Sequence, residues 1–105
     1  MNNNDSLVLN SIVEKLKSFS NIKNIILFGS FSNDSQSEDS DIDLCILIDD
    51  NNITETDWSV RNVLFGSVNR PIDLLIYNRK VFKERANSNT SLESRILNQG
   101  ITLYG

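Results

Sequence analysis

Apolar residues recur along this chain in two rhythms. Leu9, Ile12, Val13, Leu16 and Phe19 fall three or four residues apart, which is the spacing of one helix face. Asp5 or Ser6 is placed to cap a helix that runs to about Phe19. The run NIKNIILFG then reads as a buried strand ending at Gly29. From Phe31 to Ser40 the residues are mostly Ser, Asn, Asp and Glu, so this stretch is expected at the surface, with Ser30 a suitable cap for one helical turn. A second strand, DIDLCILI, starts at Asp41 and is broken by the acidic, Asn-rich run from Asp49 to Asn52. Thr54 or Thr56 can cap a helix through about Phe65, with Gly66 as its stop. Asn69-Arg70-Pro71 reads as a turn into a third strand, Ile72 to Tyr77. Arg79 to Asn98 reads as helical with an interruption around Asn87 to Thr90, and Gly100 stops it before a short last strand, ITLY.

The order is helix, strand, strand, helix, strand, helix, helix, strand. It predicts an α/β (or α+β) fold, with a small mixed β-sheet of about four strands and helices packed mainly on one face. A chain of 105 residues suits one domain, spanning residues 1–105. Trp58, Val63 and Phe65 are expected to pack in its core.

Composition narrows the chemistry. A net charge of −4 argues against nucleic-acid binding by wholesale phosphate neutralisation. Histidine is absent, which removes His-based triads and imidazole metal sites. The single cysteine, Cys45, excludes an internal disulfide and a Cys-rich zinc site, and inside LCILI it reads as a buried, inert thiol. The start, MNNNDS, has neither the basic nor the apolar region of a signal peptide, and no apolar run approaches the ~20 residues of a membrane span. The expectation is a cytoplasmic protein. Any enzyme chemistry must rest on carboxylates, hydroxyls, Lys, Arg and a hard metal ion.

Carboxylates stand where such chemistry needs them. Residues two apart on a strand share a face, so Asp41 and Asp43 project together while Ile42, Leu44, Ile46 and Ile48 line the other side. Two carboxylates about 4 Å apart repel by roughly 1 kcal/mol in water and several-fold more near a protein surface. A proton, an arginine or a divalent cation can compensate. A third acid, Asp73, sits between Ile72 and Leu74 at the start of the next apolar strand. If the two strands are neighbours, all three carboxylates can converge. Taken singly, Asp41 reads as a solvated strand start or a helix-capping acid, and Asp73 equally as a turn-side acid after Pro71 or a site residue. Upstream, Gly29-Ser30 follows a strand, where backbone N–H groups and a hydroxyl suit an anion.

The full spacing, Gly29-Ser30, ten residues, Asp41-x-Asp43 and a later strand aspartate at Asp73, resembles the nucleotidyltransferases of the polymerase-beta superfamily. In length and order the chain looks like their minimal, MNT or MntA-like, group from about Ile12 to Tyr104. The resemblance implies the polymerase-beta-like fold and a Mg²⁺-dependent transfer of AMP from ATP. Asp41, Asp43 and Asp73 would then hold two Mg²⁺ ions, Asp73 would also draw the proton from an attacking hydroxyl, and Gly29 and Ser30 would hold the triphosphate. Small members of that group pair with a HEPN-domain toxin and act as antitoxins by transferring AMP to a tyrosine of it. The implied partner is therefore such a toxin, as protein acceptor.

The chain also departs from that pattern. Many relatives continue the Gly-Ser turn with a small residue, Arg and Gly, whereas here Phe31 is followed by Ser32-Asn33-Asp34. The loop arginine is missing, and Asp34, Glu38 and Asp39 add negative charge. Arg70 and Arg79 flank the third strand and are either its replacements or exposed surface charges. Two other readings follow. One is a catalytically degenerate relative that neutralises its partner by binding alone. The other is a metal-binding regulatory module without nucleotide, which leaves the Gly-Ser spacing unexplained.

Overall fold

Side-chain alternation along the strands decides how the layers stack. In the computed structural model, which describes residues 3–29 and 41–105, the chain forms α1 (Asn3–Leu16), β1 (Ile22–Phe28), β2 (Ile42–Ile48), α2 (Ile53–Leu64), β3 (Ile72–Asn78), α3 (Arg79–Ala86), α4 (Leu92–Gln99) and β4 (Ile101–Tyr104). One mixed sheet of four strands has the order β3-β2-β1-β4. Its centre is antiparallel, β1 against β2, with β4 antiparallel on the far side of β1 and β3 parallel to β2. Class, element order and strand number are those the hydrophobic pattern implies. The surface exposure expected of Phe31–Ser40 and the cap at Ser30 lie outside the described residues. No described helix is long and apolar enough to cross a membrane.

The layering is more even than the expectation of helices mainly on one face. Ile42, Leu44, Ile46 and Ile48 of β2 pack with Ile25 and Leu27 of β1 against Leu9, Ile12 and Leu16 of α1 and Val60 and Leu64 of α2. On the opposite face Cys45, Leu47 and Ile26 meet Phe82 of α3 and Ile96 of α4. Two helices thus cover each face. The reason is legible in β2, where the face that begins with Asp43 continues as Cys45 and Leu47 and needs its own cover.

Helix boundaries follow side-chain partners rather than the nearest capping residue. Helix α1 starts two residues before Asp5 and ends at Leu16, short of Phe19. Asp5 does not cap it. Its carboxylate is buried and ion-paired with Arg70 at 2.9 Å. Neither threonine caps α2, because its N-cap is Asn52 and Thr56 lies within the helix, buried, accepting a hydrogen bond from Asn21 Nδ2 at 3.0 Å. The buried stripe of α2 is Thr56, Val60 and Leu64. Trp58 and Phe65 fall off that stripe and are 70% and 88% exposed, and Val63 is exposed too, contrary to the expectation that they pack in the core. Helices α3 and α4 are capped by Asn78, accepting from Lys80 N and Val81 N, and by Ser91, accepting from Ser94 N.

The Asp5–Arg70 pair joins α1 to the turn before β3 with both side chains largely removed from water. Removing one partner of such a pair strands a buried charge, at a cost of about 3–5 kcal/mol. Arg70→Met is therefore expected to lower the urea midpoint strongly. Asp5→Leu/Arg70→Met together should recover most of that loss, which equilibrium unfolding of the single and double variants would measure.

Candidate active site

Parallel pairing of β2 with β3 sets Asp43 directly opposite Asp73, and Ile42 opposite Ile72. A backbone bond from Ile42 N to Pro71 O, 2.9 Å, joins the two strand entrances. On the other side of β2, antiparallel pairing sets Phe28, the last residue of β1, opposite Asp43. Three segments therefore meet at one end of the sheet: the exit of β1 and the entrances of β2 and β3.

Gly29 stands at that meeting point for two reasons. Its φ is 74°, a left-handed conformation that side chains disfavour. A Cβ placed there would also run into the Asp43 carboxylate. Only glycine lets the chain turn so close to that acid.

The carboxyl of Asp43 is held above the ordinary aspartate range. Burial is the largest cause, followed by the charge of Asp73, a side-chain hydrogen bond with Asp73, and the charge of Asp41. Asp43 is half-buried, whereas Asp41 and Asp73 are exposed. Asp73 and Asp41 thus both act on Asp43, the former more strongly. Asp41 precedes the first paired residue of β2, so the pleat does not fix it, and among the described residues no group of three acids closes around one point. Ser30 lies outside the described residues.

Among the described residues, neither arginine singled out from the sequence is placed against these carboxylates. Arg70 is engaged with Asp5. Arg79 begins α3 beyond the far end of β3, about 20 Å along the strand from Asp73 at ~3.3 Å per residue. Other cations stand closer. The Arg61 guanidinium on α2, bonded to Asp57 at 2.6 Å, also feels the charge of Asp73. Arg95 on α4 lines a 340 Å³ cavity with Phe28, Gly29, Leu92, Ile96 and Gln99. The signal for Arg95 was its spacing with Leu92 and Gln99 on one helix face, which reads as ordinary amphipathicity until Gly29 is placed beside it. Cys45 is buried, and burial with the nearby Glu93 charge pushes its thiol up to about 12, so the inert thiol is as expected.

What this edge offers is an all-oxygen donor set: two carboxylates in register, a third acid upstream, and a glycine backbone pressed against them. Hard divalent cations take such donors, and a cation relieves the repulsion that raises Asp43. The residues fit a metal of the Mg²⁺ class.

Comparison with known proteins identifies the family and the fold. The family model for polymerase beta nucleotidyltransferases matches residues 10–105, and the chain belongs to this family. Among solved structures, a chain of a toxin–antitoxin complex crystallised with AMP-PNP is 24% identical with a TM-score of 0.64, the match covering 92% of this chain and 73% of that one. A chain from the complex of tri-AMPylated Shewanella oneidensis HEPN toxin with its MNT antitoxin is 24% identical with a TM-score of 0.61, covering 95% and 71%. A chain of the MntA–HepT toxin–antitoxin complex is 21% identical with a TM-score of 0.58, covering 95% and 72%. At these identities the likeness establishes the shared fold. No curated protein matches the chain significantly by sequence.

The raised carboxyl of Asp43 carries a stability consequence of definite sign. A carboxyl whose pKa is higher in the folded state stabilises the fold when protonated and loses that contribution as pH rises through its folded value. At neutral pH the charged form is a liability. Asp43→Asn should raise the melting temperature at pH 7.5 by roughly 2–4 °C, and the gain should vanish as pH falls toward 4. Calorimetric melting of both proteins across that range checks it.

Proposed function

We propose that this protein is a divalent-metal-dependent nucleotidyltransferase that transfers AMP from ATP to a protein hydroxyl, as the antitoxin of a HEPN/MNT toxin–antitoxin pair. The observation that carries the reading is the in-register Asp43–Asp73 pair with Gly29 packed against it, in a chain of the polymerase beta nucleotidyltransferase family. The fold shared with chains of toxin–antitoxin complexes, one with AMP-PNP and one with a tri-AMPylated HEPN toxin, supports the donor and the partner.

Asp41, Asp43 and Asp73 would hold the metal. Bound there, a divalent cation supplies neutralising charge and Lewis acidity at the α-phosphoryl group. Gly29 would admit the triphosphate close to the backbone, with Ser30 beside it in sequence. Asp73, exposed at the sheet edge, takes the proton of the acceptor hydroxyl. The hydroxyl oxygen forms its bond to the α-phosphorus as the bond to the bridging oxygen breaks, and pyrophosphate carries away that electron pair. Burial and the charges of Asp73 and Asp41 disfavour the ionised form of Asp43, so a cation bound at this edge would offset that penalty. An acceptor delivered by a second protein suits a site at an open end of the sheet. Loss of the usual loop arginine places the burden of triphosphate charge on the metal and on cations elsewhere in the chain.

A second reading has one observation in its favour. Among the described residues the three acids do not close into one metal-holding group, as a degenerate antitoxin acting by contact alone would allow.

The discriminating assay is transfer of radiolabel from α-labelled ATP to a HEPN-domain protein in the presence of Mg²⁺. Asp43→Asn and Asp73→Asn should each reduce it by roughly 10²–10³-fold, with circular dichroism unchanged. Full activity in both variants would contradict the assignment. Neutralisation of the toxin's RNase activity without any transfer would favour the contact reading.

A further inference from the structure

Beside the carboxylate edge lies a cavity whose chemistry differs from it. Its floor is apolar, since Ile96 is 2% exposed and packs with Ile26 and the partly buried Phe28. Its outer wall is Leu92, an apolar side chain left 44% exposed. Leu92, Arg95, Ile96 and Gln99 fall on one face of α4 at helical spacing. Among the described residues no acid is ion-paired with Arg95, and the Gln99 amide has no side-chain partner.

Two glycines at its rim allow close packing of the backbone. A Cβ at Gly29 would enter the Asp43 carboxylate, and one at Gly100 would strike Ile26 and the backbone oxygens of Ile96 and Leu27. The end of α4 is thereby seated directly on β1, with its polar side chains overhanging the exit of that strand. The other end of α4 is fixed by Tyr77 Oη, which donates to Glu93 at 2.8 Å. The wall is therefore anchored at both ends. Because Phe28 lies opposite Asp43 in the sheet, the cavity and the carboxylates are neighbours.

Volume and polarity select the occupant. At 340 Å³ the cavity lies at the lower end of the usual range for small-molecule sites. It has room for a base and its sugar rather than for a whole nucleoside triphosphate. Apolar walls suit a heteroaromatic ring, and a guanidinium with no ion pair among the described residues suits the anionic chain attached to it. A carboxamide offers one donor and one acceptor side by side, the complement of the adenine edge that presents an amino group next to a ring nitrogen.

We propose that this cavity receives the nucleoside of an adenine nucleotide, with Gln99 selecting the base and Arg95 supplying the cation that the Gly-Ser loop lacks. The inference rests on the nucleotidyltransferase reading and divides the donor between two subsites. Phosphates go to the carboxylate edge and the nucleoside goes between Phe28 and α4. Both residues are exposed, so their replacement leaves the fold intact.

The test is calorimetric titration of the full chain, in Mg²⁺, with ATP, GTP and inorganic tripolyphosphate. Wild type should bind ATP at least about tenfold more tightly than GTP or tripolyphosphate. Gln99→Leu should bring ATP to within about twofold of GTP and leave tripolyphosphate unchanged, whereas Arg95→Ala should weaken ATP by about tenfold. Suppose instead that both variants keep wild-type ATP affinity while tripolyphosphate binding still requires Asp43. Then the nucleoside sits elsewhere, and the inference fails while the carboxylate assignment stands. No binding of ATP or tripolyphosphate to wild type would overturn both.

Discussion

The pairing of Asp43 with Asp73 across two parallel strands is the constraint around which this molecule is arranged. Like charges in register are unfavourable, and the sheet makes them unavoidable: β2 and β3 lie in register from Ile42↔Ile72 to Ile48↔Asn78. A one-residue slip would separate the acids, but it would also turn Leu74 and Ile76 away from the α1/α2 layer. The hydrophobic alternation therefore holds the carboxylates together against their own repulsion. Free energy from burying the strands maintains a local charge conflict that a cation can resolve.

Parallel neighbours require a crossover, and α2 supplies it. The helix lies on the α1 side of the sheet, which leaves the other side of the acidic edge to α4. That division gives the two faces different tasks. The α1/α2 layer fixes register, with the buried Asp5–Arg70 pair tying the N-terminal helix to the turn that launches β3. The α3/α4 layer covers Cys45 and Leu47 in the middle of the sheet and leaves a cavity beside Gly29 at its end.

Much of this was legible in the sequence, and the exceptions share a cause. The helices and strands follow from strong periodicity, whereas the common face expected of Asp41 and Asp43 is not fixed by the sheet, because Asp41 precedes the first paired residue of β2. Whether β3 lies beside β2, and in which direction, is a long-range property that the local pattern leaves open. The arginines show the same limit. Arg70 reads from sequence as either a replacement for the loop arginine or an exposed surface charge, yet it is ion-paired with the buried Asp5 near the other end of the chain. Arg95 is not singled out by the sequence at all, because its neighbour Gly29 is distant in sequence. Trp58 and Phe65 were misplaced for a different reason: the inward face of α2 begins with Thr56, read from sequence as a possible cap but buried and satisfied by Asn21. Polar residues with buried partners are the hardest to read from sequence, since the partner is what changes their meaning.

The central claim is that the Asp43–Asp73 edge binds a divalent cation, and its location can be observed directly. Mn²⁺, a paramagnetic stand-in for Mg²⁺, would be titrated into ¹⁵N-labelled protein while amide signals are followed. The account predicts that broadening begins at Gly29, Asp43 and Asp73 and is lost in Asp43→Asn/Asp73→Asn. Broadening centred on the acidic run from Asp49 to Asn52, or unchanged in that variant, would contradict it.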